Sequence, residues 1–136
     1  MTEREDIERV TELGRLLLER GWTIATAESC TGGLIGHLLT ELSGSSAYYL
    51  GGIIAYANEV KTGTLRVNAS DLQAYGAVSA PVARAMAKSV RELLGTQIGL
   101  SATGIAGPTG GTPDKPVGTV FLGLSSPLGE VVEQHI

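Results

Sequence analysis

Apolar positions along the chain recur with two different periods, and the switch from one to the other marks out the elements. Ile7, Val10, Leu13, Leu17 and Leu18 form one stripe at helical spacing, so residues 3 to 20 read as an amphipathic helix. Thr2 and Glu5 stand at capping-box spacing, and Gly21 is placed to stop the helix. Residues 22 to 28 (WTIATAE) read as a short, largely buried strand, followed by a turn from Ser29 to Gly33. Helical spacing returns at Leu34, Ile35, Leu38, Leu39 and Leu42 and ends at an SGSS break. Residues 47 to 57 (AYYLGGIIAYA) read as a second strand, in which Gly51 and Gly52 suggest a bulge. Asn58 is placed to cap a short helix that carries Lys61, and Ser70 to open another helical turn before Gly76.

Ser79 and Pro81 open a further helix running to about Leu94, with Val82, Met86, Val90 and Leu93 on one side. Residues 97 to 103 read as a third strand, and a long loop from Gly104 to Pro116 follows it. Val117 to Leu124 and Val131 to Ile136 are expected to pair as a closing hairpin. Strands alternating with helices predict an α/β sheet covered on both faces, without internal repeat or linker. Nothing follows the last strand to cover that region, which suggests a chain cut short.

Composition sharpens this picture. At 136 residues the chain suits one domain with a single core, and its 19 glycines fall in clusters without a collagen-like period. Ten of the 24 charged residues lie in the first twenty positions. The remaining body is built from small and aliphatic residues, suited to turns that approach a small ligand closely. A net charge of −4 argues against a general nucleic-acid or anionic-membrane binder. A single cysteine excludes an internal disulfide framework, and no apolar run approaches bilayer length. The acidic start is unlike a secretory signal, so a cytoplasmic location is expected.

Three places carry candidate chemistry. Ser29, in A-E-S-C-T-G-G, sits between a strand and a helix, where unpaired N–H groups of about Cys30 to Gly33 could hold an oxyanion. The bland alternative is a serine serving only as a helix cap. No G-x-S-x-G or S-x-x-K occurs, and neither His37 nor His135 is a convincing base. Lys61 is one of three lysines and follows directly from the second strand. A general-base lysine must be neutral near pH 7, at a cost of about 4 kcal/mol that burial can supply. Strand alternation aims Glu28 away from Ser29, so a Ser29–Lys61 pair is physically permitted, with a solvated surface lysine as the alternative. Cys30 is a competing nucleophile or a small buried residue. The loop S-A-T-G-I-A-G-P-T-G-G-T lies at the carboxyl end of the third strand, where its N–H groups with Thr103, Thr109 and Thr112 could cradle a phosphate.

The runs A-E-S-C-T-G-G (27–33), Y-A-N-E-V-K (56–61), G-A-V-S (76–79) and S-A-T-G-I-A-G-P-T-G-G (101–111) together resemble the CinA carboxy-terminal domain family, from about residue 5 to the end. The resemblance implies a three-layer α/β/α sandwich with a mixed sheet. It implies an amidohydrolase that converts nicotinamide mononucleotide to nicotinate mononucleotide and ammonia in pyridine-nucleotide (NAD) salvage, with no cofactor or metal. Carried over by motif, Ser29 is the nucleophile, Lys61 the base, and Tyr56 and Thr103 assisting groups. Cys30, Thr31, Gly32 and Gly33 on one turn, and Gly104, Gly107, Thr109 and Gly110 on the other, are expected to face the substrate. Family members continue into a glycine-aspartate-arginine segment and a closing helix, so an arginine expected to contact substrate is absent here. The alternative is a non-catalytic pyridine-nucleotide-binding or regulatory module of a competence or damage-inducible protein. A homo-oligomer is expected in either case.

Overall fold

The computed structural model describes residues 3–136, so Thr2 of the expected capping box lies outside the described residues. The order of elements is α1 (Glu3–Arg20), β1 (Ile24–Glu28), α2 (Leu34–Thr40), β2 (Tyr49–Ile54), α3 (Asn58–Gly63), α4 (Ala69–Tyr75), α5 (Ala80–Leu94), β3 (Ile98–Gly104), β4 (Val120–Ser126) and β5 (Gly129–His135). The five strands form one mixed sheet in the order β2-β1-β3-β4-β5. β1 runs parallel to both β2 and β3, while β3–β4 and β4–β5 are antiparallel.

Period-two alternation in β1 divides the core into two layers. Ala25 and Ala27 point to a cluster with Ala55, Leu65, Val67, Val82, Met86 and Val90, which lies beneath α3 to α5. Ile24 points the other way, toward Leu17 of α1, Leu39 of α2 and Tyr48. Helices therefore lie on both faces, in the three-layer arrangement expected. The side bearing α1 and α2 is covered over β1 and β2, whereas Leu124 and Val131 on the hairpin stay exposed.

Small residues set how closely the layers approach. A Cβ on Gly99 would stand 2.0 Å from the Ala87 carbonyl oxygen, and one on Gly123 2.5 Å from that of Ala83. Both strands therefore meet α5 almost backbone to backbone, and Ser101 Oγ donates to Ala83 O at 2.6 Å. The β1–β2 register slips between Ile24 and Ala25, which skips Leu50 and produces the irregularity expected near Gly51. Gly21 ends α1 with φ of 67°, as its position suggests.

Several boundaries differ from the sequence expectation. Asn58 is the first residue of α3, and Ala57 occupies the cap position without a side-chain bond. The cap that does form is Asn68 on α4, accepting from Ser70 N. Ser79 and Pro81 do open α5, as expected, with Ser79 at the cap position and its hydroxyl donating back to Gly76 O. The closing hairpin turns at Pro127 and Leu128, with each strand reaching two residues further toward the turn than the pattern suggests, because β4 and β5 stay paired from Ser126 and Gly129. Among the described residues no helix is long and apolar enough to cross a membrane.

Candidate active site

β1 ends at Glu28, and Ser29 N still donates to Ala102 O of β3, so the serine backbone is fixed by the sheet. The chain then leaves through a turn in which Gly32 and Gly33 take φ of 61° and 112°. Ser29 is 8% exposed. Across from it, Ala55 to Ala57 lead from β2 into α3, which delivers Lys61 from its first turn back toward the sheet.

Lys61 is 1% exposed and its Nζ has three neighbours at hydrogen-bond distance: Ser29 Oγ at 2.9 Å, Ala55 O at 2.8 Å and Tyr56 O at 3.0 Å. Burial pushes the Lys61 amine below the usual lysine range, and the nearby Cys30 thiol works slightly the other way. Among the described residues no carboxylate pairs with it. As an ammonium it donates to all three; on losing a proton the amine needs only two N–H groups for the carbonyls, and its lone pair can accept from Ser29 Oγ–H. The surface-lysine alternative is thereby excluded, and so is Ser29 as a simple helix cap, since no side-chain cap forms on α2.

The pair lies at the base of a cleft of about 440 Å³, a size suited to a small organic ligand. Ser29, Cys30, Tyr56, Lys61, Thr103, Gly104, Gly107, Thr109 and Gly110 all line it. Tyr56 is 75% exposed, so its ring stands at the mouth while its carbonyl holds Lys61. Thr103 is buried and its Oγ1 donates to Ala77 O at 2.9 Å, which ties β3 to the α4–α5 connection. Its hydroxyl proton is thus committed, leaving an acceptor toward the cleft. Burial raises the Cys30 thiol above its ordinary value, although the N–H groups of Cys30 and Thr31 face its sulfur and favour the thiolate. A raised thiol with no base beside it makes Cys30 a weak rival to Ser29.

Three expected substrate-facing residues are turned elsewhere. Thr31 Oγ1 donates to Glu28 Oε1 at 2.7 Å, and Thr31 does not line the cleft. Gly32 spends its N–H on Ser29 O, and Gly33 packs toward Ile54 on the opposite side of the sheet. Of the amides expected from Cys30 to Gly33, those of Cys30 and Thr31 face the Cys30 sulfur, and of these residues only Cys30 lines the cleft.

Asn58, Ala77, Val78, Ile105 and Ala106 also line the cleft and were given no role by the sequence reading. Asn58 and the G-A-V-S stretch do lie in the quoted motifs, which is the signal that could have found them. Lys115 bridges the two walls from behind: its Nζ donates to Tyr75 O, forty positions away, at 2.6 Å. His37 and His135 stand apart from the cleft, each exposed and paired with a glutamate. No group of three or more His, Cys, Asp or Glu is placed to hold a metal ion among the described residues.

A mixed α/β sheet whose first strand presents a serine to a buried lysine, under a glycine-rich loop, defines a narrow structural class. The chain belongs to the CinA C-terminal domain family, whose pattern matches residues 7–136. It is 55% identical over 130 residues to a CinA-like protein of Salinibacter ruber, covering 96% of this chain and 32% of that protein. It is 58% identical over 120 residues to a putative competence-damage inducible protein of Halothermothrix orenii, covering 88% and 29%. The chain thus spans about a third of the length of these curated relatives. Among solved structures, competence damage-inducible protein A from Klebsiella pneumoniae superposes with a TM-score of 0.91 at 32% identity, over 96% of this chain and 81% of that one. Competence/damage inducible protein CihA from Agrobacterium tumefaciens gives 0.88 at 40% identity, over 96% and 79%.

Proposed function

We propose that this domain hydrolyses the carboxamide of nicotinamide mononucleotide to nicotinate mononucleotide and ammonia through an acyl-enzyme on Ser29. The observation that carries the reading is the 2.9 Å contact between Lys61 Nζ and Ser29 Oγ, made by a buried lysine with a depressed pKa. The substrate comes from membership of the family. The chemistry is argued from the site.

In the first step the lone pair of Lys61 takes the Ser29 hydroxyl proton as Oγ attacks the carboxamide carbon. The C=O electrons move onto oxygen, and the N–H of Cys30, which lines the cleft directly after Ser29, is the donor assigned to that charge. Ser29 N–H is unavailable because it donates to Ala102 O. Collapse breaks the C–N bond, and the proton held by Lys61 leaves with ammonia. Water then attacks the ester, Lys61 takes its proton, and that proton returns to Ser29 Oγ as the acid departs. Throughout, the carbonyls of Ala55 and Tyr56 steer the amine and stabilise its transient ammonium.

The exposed ring of Tyr56 offers a π face to the pyridinium. The phosphate is assigned to the loop around Gly107, Thr109 and Gly110, since Gly32 and Gly33 do not line the cleft. Ammonia release from nicotinamide mononucleotide, measured with purified protein, tests the proposal. Ser29→Ala and Lys61→Ala should each abolish release, while Cys30→Ala should retain it. Binding of the nucleotide without any release by the folded wild type would favour the non-catalytic module instead.

A further inference from the structure

Lys61 and Glu28 are the buried charged side chains among the described residues, and the chemistry above uses only the first. Glu28 is 2% exposed and lies on the opposite side of β1 from the Ser29–Lys61 pair. Its Oε1 accepts from Thr31 Oγ1 at 2.7 Å and from Ile35 N at 2.8 Å, and its Oε2 accepts from Gly36 N at 3.0 Å. One carboxylate thus joins the end of β1, the nucleophile turn and the start of α2. Among the described residues no cation pairs with it, so these donors alone hold its charge.

The surrounding sequence is cut to let this contact form. A Cβ on Gly36 would stand 2.6 Å from Tyr49 Oη and 3.6 Å from Glu28 Oε2, so a side chain there would have to displace the Tyr49 hydroxyl beside the carboxylate. Gly52 in turn leaves room for the Thr26–Tyr49 hydroxyl pair at 2.9 Å, since a Cβ there would meet Thr26 Oγ1 at 2.2 Å. The turn itself has little else to keep its shape. Two of its residues are left-handed glycines, and its own backbone bonds are Gly32 N to Ser29 O and Leu34 N to Thr31 O, both 3.1 Å.

We infer that Glu28 is a positioning residue for the nucleophile turn: from behind the sheet it holds Thr31 and α2 so that Ser29 Oγ and the Cys30 N–H keep their mutual geometry in the cleft. The inference rests on Ser29 being the nucleophile, as proposed above. Such a residue acts on kcat rather than on substrate affinity, because it touches neither the loop nor the mouth of the cleft. Its charge is also felt there, since Glu28 raises the Cys30 thiol.

Glu28→Gln tests this with little change of shape. An amide supplies one acceptor oxygen, so one of the three donors is left facing an NH₂ group. Displacing a nucleophile by about 1 Å costs up to about 100-fold, and we expect kcat for ammonia release to fall about 10- to 100-fold with KM within about twofold. Thr31→Val removes one donor, leaves α2 bound, and should lower kcat by a smaller factor; it carries the test if Glu28→Gln does not fold. A kcat within twofold of wild type in the folded variants, or a loss carried by KM, overturns the inference. Iodoacetamide labelling of Cys30 needs no turnover and separates the two proposals. If the wild type releases no ammonia, the function fails while labelling still judges the turn: faster modification of Cys30 in Thr31→Val, which keeps the Glu28 charge and cuts only its tie to the turn, supports the inference, and an unchanged rate overturns it.

Discussion

Replacing Lys61 by methionine isolates the feature on which the chemistry depends, a buried lysine whose amine is pushed below the usual lysine range. Methionine keeps most of the buried stem and removes only the amine. Above pH 10.5, the ordinary value for this side chain, the amine is neutral in both folded and unfolded chains. The wild type then keeps two hydrogen bonds, to Ala55 O and Tyr56 O, that the variant lacks. At about 1 kcal/mol each, they favour the wild type by about 2 kcal/mol. Below that pH the unfolded chain takes up a proton that the folded chain resists, because burial depresses the folded pKa. Stability rises with pH wherever the unfolded state binds more protons. The Lys61 contribution is therefore lost as pH falls, by about 1.4 kcal/mol per unit, until the folded pKa is reached. The wild-type advantage should accordingly shrink as pH falls below the ordinary lysine value. Urea unfolding of both proteins at pH 7, 8, 9 and 10, followed by circular dichroism, reads this directly. A difference independent of pH, or one that grows in favour of the wild type as pH falls, would show that Lys61 is charged when folded and would refute the general-base argument.

Gly123→Ala places a Cβ 2.5 Å from the Ala83 carbonyl, so overpacking between β4 and α5 should destabilise the fold by about 3 kcal/mol or more in chemical denaturation. Cys30 should react with iodoacetamide more slowly at pH 7 than a free thiol, because burial raises its pKa; a faster rate would reassign the nucleophile. Lys115→Met cuts the tie to Tyr75 O and should raise KM for the nucleotide several-fold at unchanged kcat, with easier proteolysis within residues 104–116. An unaltered KM and cleavage pattern would leave Lys115 as a surface cap on α4.

What the sequence makes legible is set by the range over which its signals act. Helical stripes such as Ile7 to Leu18, and the glycine at position 21, are local patterns, and α1, α5 and all five strands follow from them within a few residues. The candidate site was legible in a different way: Ser29 stands just after β1, Thr103 near the carboxyl end of β3 and Lys61 on the helix that follows β2, and ligands gather at strand ends in such sheets. Alternation also aimed Glu28 away from the cleft. Where its carboxylate goes was not legible, because its partners are backbone amides at positions 35 and 36, and an amide carries no sequence signature. The same reason hid the fate of Gly32 and Gly33. Glycine advertises close approach without saying from which side of the sheet. Asn58 and Ser79 look like caps by residue type, yet neither side chain caps its helix, since a neighbouring extended residue or a nearby carbonyl competes for the geometry.

The sheet order has a temporal meaning. β4 and β5 are joined by a two-residue turn and need no distant partner, so this hairpin can form within about 1–10 μs. β1, by contrast, pairs with β3 through contacts such as Thr23 with Gln97, 74 positions apart. That pairing also fixes Ser29, through its N–H to Ala102 O. Long closures of this kind are slow relative to local ones. In refolding, the hairpin should be early and the serine–lysine pair late. On the ribosome, a nascent chain carrying both Ser29 and Lys61 would still lack the strand that fixes the serine until β3 has emerged.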